Sequence, residues 1–205
     1  MKNQNSKQKK EKSFWKKEFF EWIQAILFAL AISFVLRSFV FTLVLVNGKS
    51  MEPTLHSNDK LYVNRFFYKP KRGDIIVFTP KIDSKHPYVK RVIAIEDDKI
   101  FMDFENGHIY INNKIIDEPY IKDLTTRSEK YTDDLIEKGK YSKDKPIIVG
   151  KDEVFAMGDN RSDSHDCRAL GPISNRSIIG KAIFRMWPID RIGFLYSNNM
   201  KFKND

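Results

Sequence analysis

Hydrophobic and polar positions divide this chain into one long apolar run and many short ones. Trp22 to Leu36 is 15 residues without a charge. As helix it covers about 22 Å, short of a hydrocarbon core of roughly 30 Å. Phe19 and Phe20 before it, Phe39 to Phe41 after it, and an Arg37 long enough to reach the interface make up the difference. The pattern predicts a transmembrane helix over 19–41. From Ser38 to Val46 the sequence turns to Phe, Val, Leu and Thr, and the reading changes to strand. Further strand-like runs are Lys60–Asn64, Asp74–Phe78, Tyr88–Ile95, Lys99–Met102, His108–Ile111, Pro146–Val149, Glu153–Met157 and Ile178–Met186. Gly, Pro, Asn and Asp separate them, which predicts an antiparallel, mainly β domain.

Between Ile121 and Lys145 apolar positions thin out and charges crowd together, as expected of an exposed loop or short helix within a non-catalytic insertion. A length of 205 residues suits one core carrying such an insertion. The net charge of +9 changes the picture only through its placement, since Lys2, Lys7, Lys9, Lys10, Lys12, Lys16 and Lys17 all precede the apolar run. A basic tail there points to anionic membrane lipid as partner, not nucleic acid, and predicts a cytoplasmic tail with the remainder outside. Ala29-Leu30-Ala31 offers a cleavage site for the competing reading, a removable leader. The apolar run continues straight through it, so a retained anchor is expected. One cysteine, Cys167, excludes an intramolecular disulfide and a cysteine-only metal site.

Candidate chemistry begins at Ser50 in "NGKSMEPTL", just after the apolar run. Serine is a poor nucleophile without a base. Lys90 is one candidate, because it lies among Val89, Val92, Ile93 and Ile95, where desolvation lowers an amine's proton affinity. The third cluster is "GDNRSDSHDCR", Gly158 to Arg168. His165 with Asp163 or Asp166 could complete a Ser-His-Asp triad on Ser50. Asp159, Asp163 and Asp166 could also be read as a calcium loop, although the glycine and terminal glutamate of the usual spacing are missing. Nothing local separates these options.

The set "GKSMEPTL", "RGDIIVF" (Arg72 to Phe78), "YVKRVIAIEDD" (Tyr88 to Asp98) and "GDNRSDSHDCRALG" (Gly158 to Gly171) resembles the bacterial type I signal peptidases, Gram-positive type. Four boxes in order, with 40 residues from Ser50 to Lys90, make the likeness specific from the anchor to about Trp187. The resemblance implies a membrane-bound Ser-Lys serine endopeptidase that cleaves signal peptides from secretory preproteins at the outer membrane face. It implies no cofactor and no metal, and it makes the secretion translocase a further partner. Ser50 would be the nucleophile and Lys90 the general base. Ser164 would hydrogen-bond the lysine amine, Met51 would pack near the pair, and Arg91, Asp159, Asp166 and Arg168 would form ion pairs that fix it.

The implied fold is a β catalytic core, 42–96 and 152–205, with a smaller inserted β region over 97–151, behind a 1–18 tail and the 19–41 anchor. Gly48 stands where some relatives carry a serine that donates to the oxyanion, and a Gly48→Ser exchange is expected to gain rate if the backbone is shared and to lose it if Gly48 needs a positive φ or lies against the substrate backbone. Glu96-Asp97-Asp98 and Cys167 are further departures, bearing on turns rather than on the pair. Two rivals remain. One is an inactive tethered homologue that binds preproteins without cutting, disfavoured by having both Ser50 and Lys90. The other is a self-cleaving repressor, disfavoured by the anchor and the lack of a recognisable DNA-binding helix pair.

Overall fold

The structure, a computed structural model, describes residues 15, 17–34, 41–125, 141–197 and 200–203. It divides into two units, Met1–Phe41 and Thr42–Asp205. In the first unit, helix α1 covers 17–34. Its aromatic and aliphatic side chains, among them Phe19, Trp22, Leu27, Phe28 and Phe34, are exposed. No helix among the described residues is long and apolar enough to cross a membrane. Lys17, Glu18 and Glu21 charge its first two turns, and 35–40 of the expected span lie outside the described residues.

The second unit is mainly β and antiparallel, as expected. Its strands are β1 (Phe41–Leu45), β2 (Lys60–Asn64), β3 (Ile75–Phe78), β4 (Tyr88–Ile95), β5 (Lys99–Asp103), β6 (His108–Ile111), β7 (Lys114–Asp117), β8 (Ile147–Ile148), β9 (Glu153–Met157), β10 (Ile173–Ser174), β11 (Ile178–Trp187), β12 (Gly193–Phe194) and β13 (Lys201–Phe202). An 8-stranded sheet runs β1-β2-β11-β3-β4-β9-β10 with β12 beside β11, and a 5-stranded sheet runs β13-β7-β6-β5-β8. Strand β13 falls in the second sheet, beside β7.

Period-two alternation explains how β3 serves both faces. Ile75 and Val77 join a cluster with Val46, Met51, Leu55, Leu61, Val63, Val89 and Ala182. Ile76 and Phe78 join another with Val92, Phe155 and Met157, and with Ile100, Ile109, Ile111 and Val149 from the region between β4 and β9. All of β3 is buried, which is why it reads as a continuous apolar run. The insertion thus shares a core with the main sheet. Strand β7 escaped the sequence reading, yet its signal was present: Asn112 and Asn113 both have positive φ, at 51° and 67°. They link Ile111 to Lys114, which pair across the hairpin. Such a two-residue turn has the type I′ signature.

Candidate active site

Ser50 sits in the turn between β1 and β2, and burial explains its position. Met51 and Leu55 are 1% and 0% exposed, and the Leu55 amide donates to the Met51 carbonyl at 2.9 Å. Their burial pulls the turn onto the sheet and leaves Ser50 half-buried at its rim. Gly48, two residues earlier, has φ +94° with open space where a Cβ would lie.

Lys90 reaches the serine from β4. Its Nζ is 2.7 Å from Ser50 Oγ, and the residue is 4% exposed. Burial brings the amine down from an ordinary 10.5 to about 8, with Asp166 pulling the other way. The ring of Tyr88 stands 5.3 Å from Nζ. Ser50 and Lys90 open on a cleft of about 310 Å³ whose walls include Val46, Gly48, Met51, Tyr88 and His165. His165 packs edge-on against Tyr88, centroids 6.2 Å apart. The sequence left lysine and histidine open as bases; the group in contact with Ser50 Oγ is the lysine amine.

The loop after β9 is held by buried ion pairs. Arg91 grips Asp159 in a fork, Nε to Oδ1 at 2.8 Å and Nη2 to Oδ2 at 2.6 Å, while its Nη1 donates to the Gly73 carbonyl. Arg168 grips Asp166 at 2.9 and 3.0 Å. Asp166 also accepts from the Gly158 amide and caps the short helix α2 (Cys167–Leu170). Burial favours the neutral Asp166 carboxyl, but the Arg168 charge and hydrogen bonds outweigh it and hold the group well below the usual range. With Asp159 and Asp166 committed to arginines, the cluster is an ion-pair frame for the loop. Ser164 is 2% exposed. The hydrogen bond to the Lys90 amine implied by resemblance is not formed. Ser164 Oγ lies near enough to the Asp166 carboxylate to favour its charge but makes no well-formed hydrogen bond among the described residues.

Asn160, which the sequence reading did not single out, ties this loop to the serine. Its amide donates to the Ser50 carbonyl at 3.0 Å and its Nδ2 to the Lys49 carbonyl at 3.1 Å. Gly158 makes room for this approach, because a Cβ there would stand 2.3 Å from Ser164 Oγ and 2.4 Å from the Ser50 carbonyl oxygen. The "GDN" triplet carried the signal only as part of a box.

A second Ser-Lys contact shows what the first requires. Lys181 Nζ lies 2.6 Å from Ser197 Oγ, but also 2.7 Å from Asp74 Oδ1. Burial pushes the Asp74 carboxyl up, and hydrogen bonds from Lys181, Ser197 and Tyr68 more than reverse this. An amine committed to an ion pair has no lone pair for a serine proton. Lys90 has no such direct carboxylate contact among the described residues.

The sequence model of "Signal peptidase, peptidase S26" matches residues 19–187. Signal peptidase I P of Bacillus subtilis subsp. natto is 38% identical over 190 residues, covering 91% of this chain and 96% of that protein. Signal peptidase IB of Staphylococcus aureus (strain MRSA252) is 34% identical over 190 residues, covering 90% and 96%. The crystal structure of a signal peptidase I from Enterococcus faecalis V583 superposes on 56% of this chain and 97% of its own, with TM-score 0.41 and 23% identity. That last likeness is loose, and the fold rests on the strand pairing given above. The chain belongs to the signal peptidase family, peptidase S26. It is an enzyme of that class, a serine endopeptidase.

Proposed function

We propose that this protein removes N-terminal signal peptides from secretory preproteins through a Ser50–Lys90 dyad. The observation that carries the reading is the 2.7 Å contact between Ser50 Oγ and the buried Lys90 amine. With that amine lowered to about 8, on the order of a tenth of it is neutral at pH 7. The neutral amine takes the Ser50 proton as Oγ attacks the scissile carbonyl carbon, and the oxyanion that forms accepts from the Ser50 backbone N–H. The tetrahedral intermediate collapses, the Lys90 ammonium protonates the departing amine of the mature protein, and the signal peptide remains as an ester on Ser50. Water, deprotonated by Lys90, then hydrolyses the ester and frees the signal peptide. Ion pairs Arg91–Asp159 and Arg168–Asp166 hold the loop that grips the Ser50 carbonyl, so the nucleophile needs little reorganisation.

The organisation proposed with this chemistry is a cytoplasmic tail over 1–18, an anchor over 19–41, a catalytic core over 42–96 and 152–205 and an insertion over 97–151, with the catalytic unit outside the cytoplasmic membrane. Exposed apolar side chains from Trp22 to Phe34 of α1, beyond its charged first turns, support the anchor. The test uses the full chain in detergent with a preprotein. Ser50→Ala and Lys90→Ala should each bring cleavage to background while circular dichroism stays that of the wild type, whereas His165→Ala should keep most activity. Substantial cleavage by either dyad variant refutes the mechanism.

A further inference from the structure

We propose that the inserted region is a clamp on the nucleophile loop, with Glu118, Tyr120 and Arg161 as positioning residues for cleavage. This deepens the Ser50–Lys90 reading and rests on it. The loop 158–161 stands between two buried guanidiniums. On one side Arg91 grips Asp159. On the other, Arg161, 1% exposed, donates through Nε to the Gly158 carbonyl at 2.9 Å.

Both guanidiniums are closed off by the insertion. Glu118 takes both Nη atoms of Arg161, at 3.0 and 2.5 Å, and Thr125 accepts from Nη1. The Tyr120 hydroxyl donates to Glu118 at 2.9 Å. Its ring lies 4.1 Å from the Arg91 guanidinium carbon, within the range of a cation–π stack. Tyr120 is 7% exposed, so one aromatic ring covers the Arg91 fork while its hydroxyl braces the Arg161 fork. Between these grips Asn160 holds the carbonyls of Lys49 and Ser50. Motion of the insertion therefore reaches Ser50 through one loop of a few residues. No local pattern announces this, because the contacts join Glu118 to Arg161 across 43 residues.

The roles of support and positioning separate experimentally. Full-length enzyme in detergent is assayed for kcat and KM on a preprotein, and for the pH dependence of kcat, in Glu118→Gln, Tyr120→Leu, Tyr120→Phe and the double variant Glu118→Leu/Arg161→Met. The double variant replaces the buried pair by apolar groups, an exchange that often leaves stability intact. Misplacement of reacting groups by about 1 Å can cost on the order of 100-fold. The clamp predicts kcat at least about tenfold lower in Glu118→Gln, Tyr120→Leu and the double variant, with KM near the wild-type value and Tyr120→Phe, which keeps the stack, largely restored. It also predicts an acid limb moved to higher pH, because a looser loop admits water to Lys90, which faces Asp166, Cys167, Arg168 and Asp159 from the loop after β9, Tyr88 from its own strand, and Asp163 and His165 across the cleft. Folded variants with wild-type kcat and limb overturn the clamp, as do losses that vanish wherever all variants are fully folded. If Glu118→Gln does not fold, the Tyr120 pair decides. Wild-type cleavage that survives Ser50→Ala refutes the dyad instead, while loss in Ser50→Ala beside wild-type rates in the clamp variants refutes the clamp alone.

Discussion

Lys90 carries a stability cost that its proposed chemistry requires. Its amine is lowered in the folded protein, the reverse of a lysine that gains a partner. Between about 8 and the unfolded value near 10.4 the unfolded chain holds more protons, so stability rises with pH across that window and the full cost is felt below it. The cost is on the order of 3 kcal/mol at pH 7. Lys90→Met should therefore melt at a higher temperature, by roughly 6–12 °C in scanning calorimetry at pH 7, while cutting nothing. A melting point at or below the wild type contradicts the assigned desolvation. In the wild type kcat/KM should climb about tenfold per pH unit up to about 8 and then level off, read with a preprotein at fixed ionic strength. Gly48 tells a different story from the one its missing hydroxyl suggests. With φ at +94° it occupies a conformation L side chains rarely adopt, and forcing one in costs about 1–3 kcal/mol. Nothing stands within 4 Å of the place a Cβ would take there, so the strain is one of backbone and not of collision. Gly48→Ser and Gly48→Ala should both cut more slowly, by similar factors. Serine clearly faster than alanine would restore the idea of a lost oxyanion donor.

Among elements, the β6–β7 hairpin turns on a dipeptide that few residues could replace. Asn112→Val places a β-branched residue at φ 51° and should cost about 1 kcal/mol or more in thermal melts, whereas Asn113→Gly should be neutral or stabilising. Strands with an unbroken apolar or alternating signal were legible from the sequence: β2, β4, β6 and β9 occupy the expected residues. Those missed, β7, β10, β12 and β13, are two to four residues long, too short for periodicity to register. The site divides in the same way. Ser50 and Lys90 were readable because their boxes are continuous in sequence. Asn160 is a single residue within one such box, and its role appears only when β9 delivers it beside Ser50. Glu118 and Tyr120 lie in a stretch whose local composition is that of an ordinary polar loop.

At the scale of the whole molecule, the proposed anchor and the catalytic unit divide the work of finding a substrate and cutting it. A chain beginning at Ser38 should keep the dyad but process preproteins slowly, since membrane confinement concentrates enzyme and substrate. Vesicles or detergent should return part of the rate, and equal rates on membrane-embedded preproteins would contradict the division. The second sheet also sets an order of assembly. Strand β13 pairs with β7, Lys201 opposite Asp117 and Phe202 opposite Ile116, and β7 leads directly into Glu118. Every residue assigned to the dyad, the ion pairs and the clamp precedes β13 in the chain. During synthesis the catalytic and clamp residues are thus all made before the edge strand that pairs with β7. A chain ending before Lys201 would hold its nucleophile and the clamp residues Glu118, Tyr120 and Arg161, but would lack the strand that pairs with β7 just before Glu118.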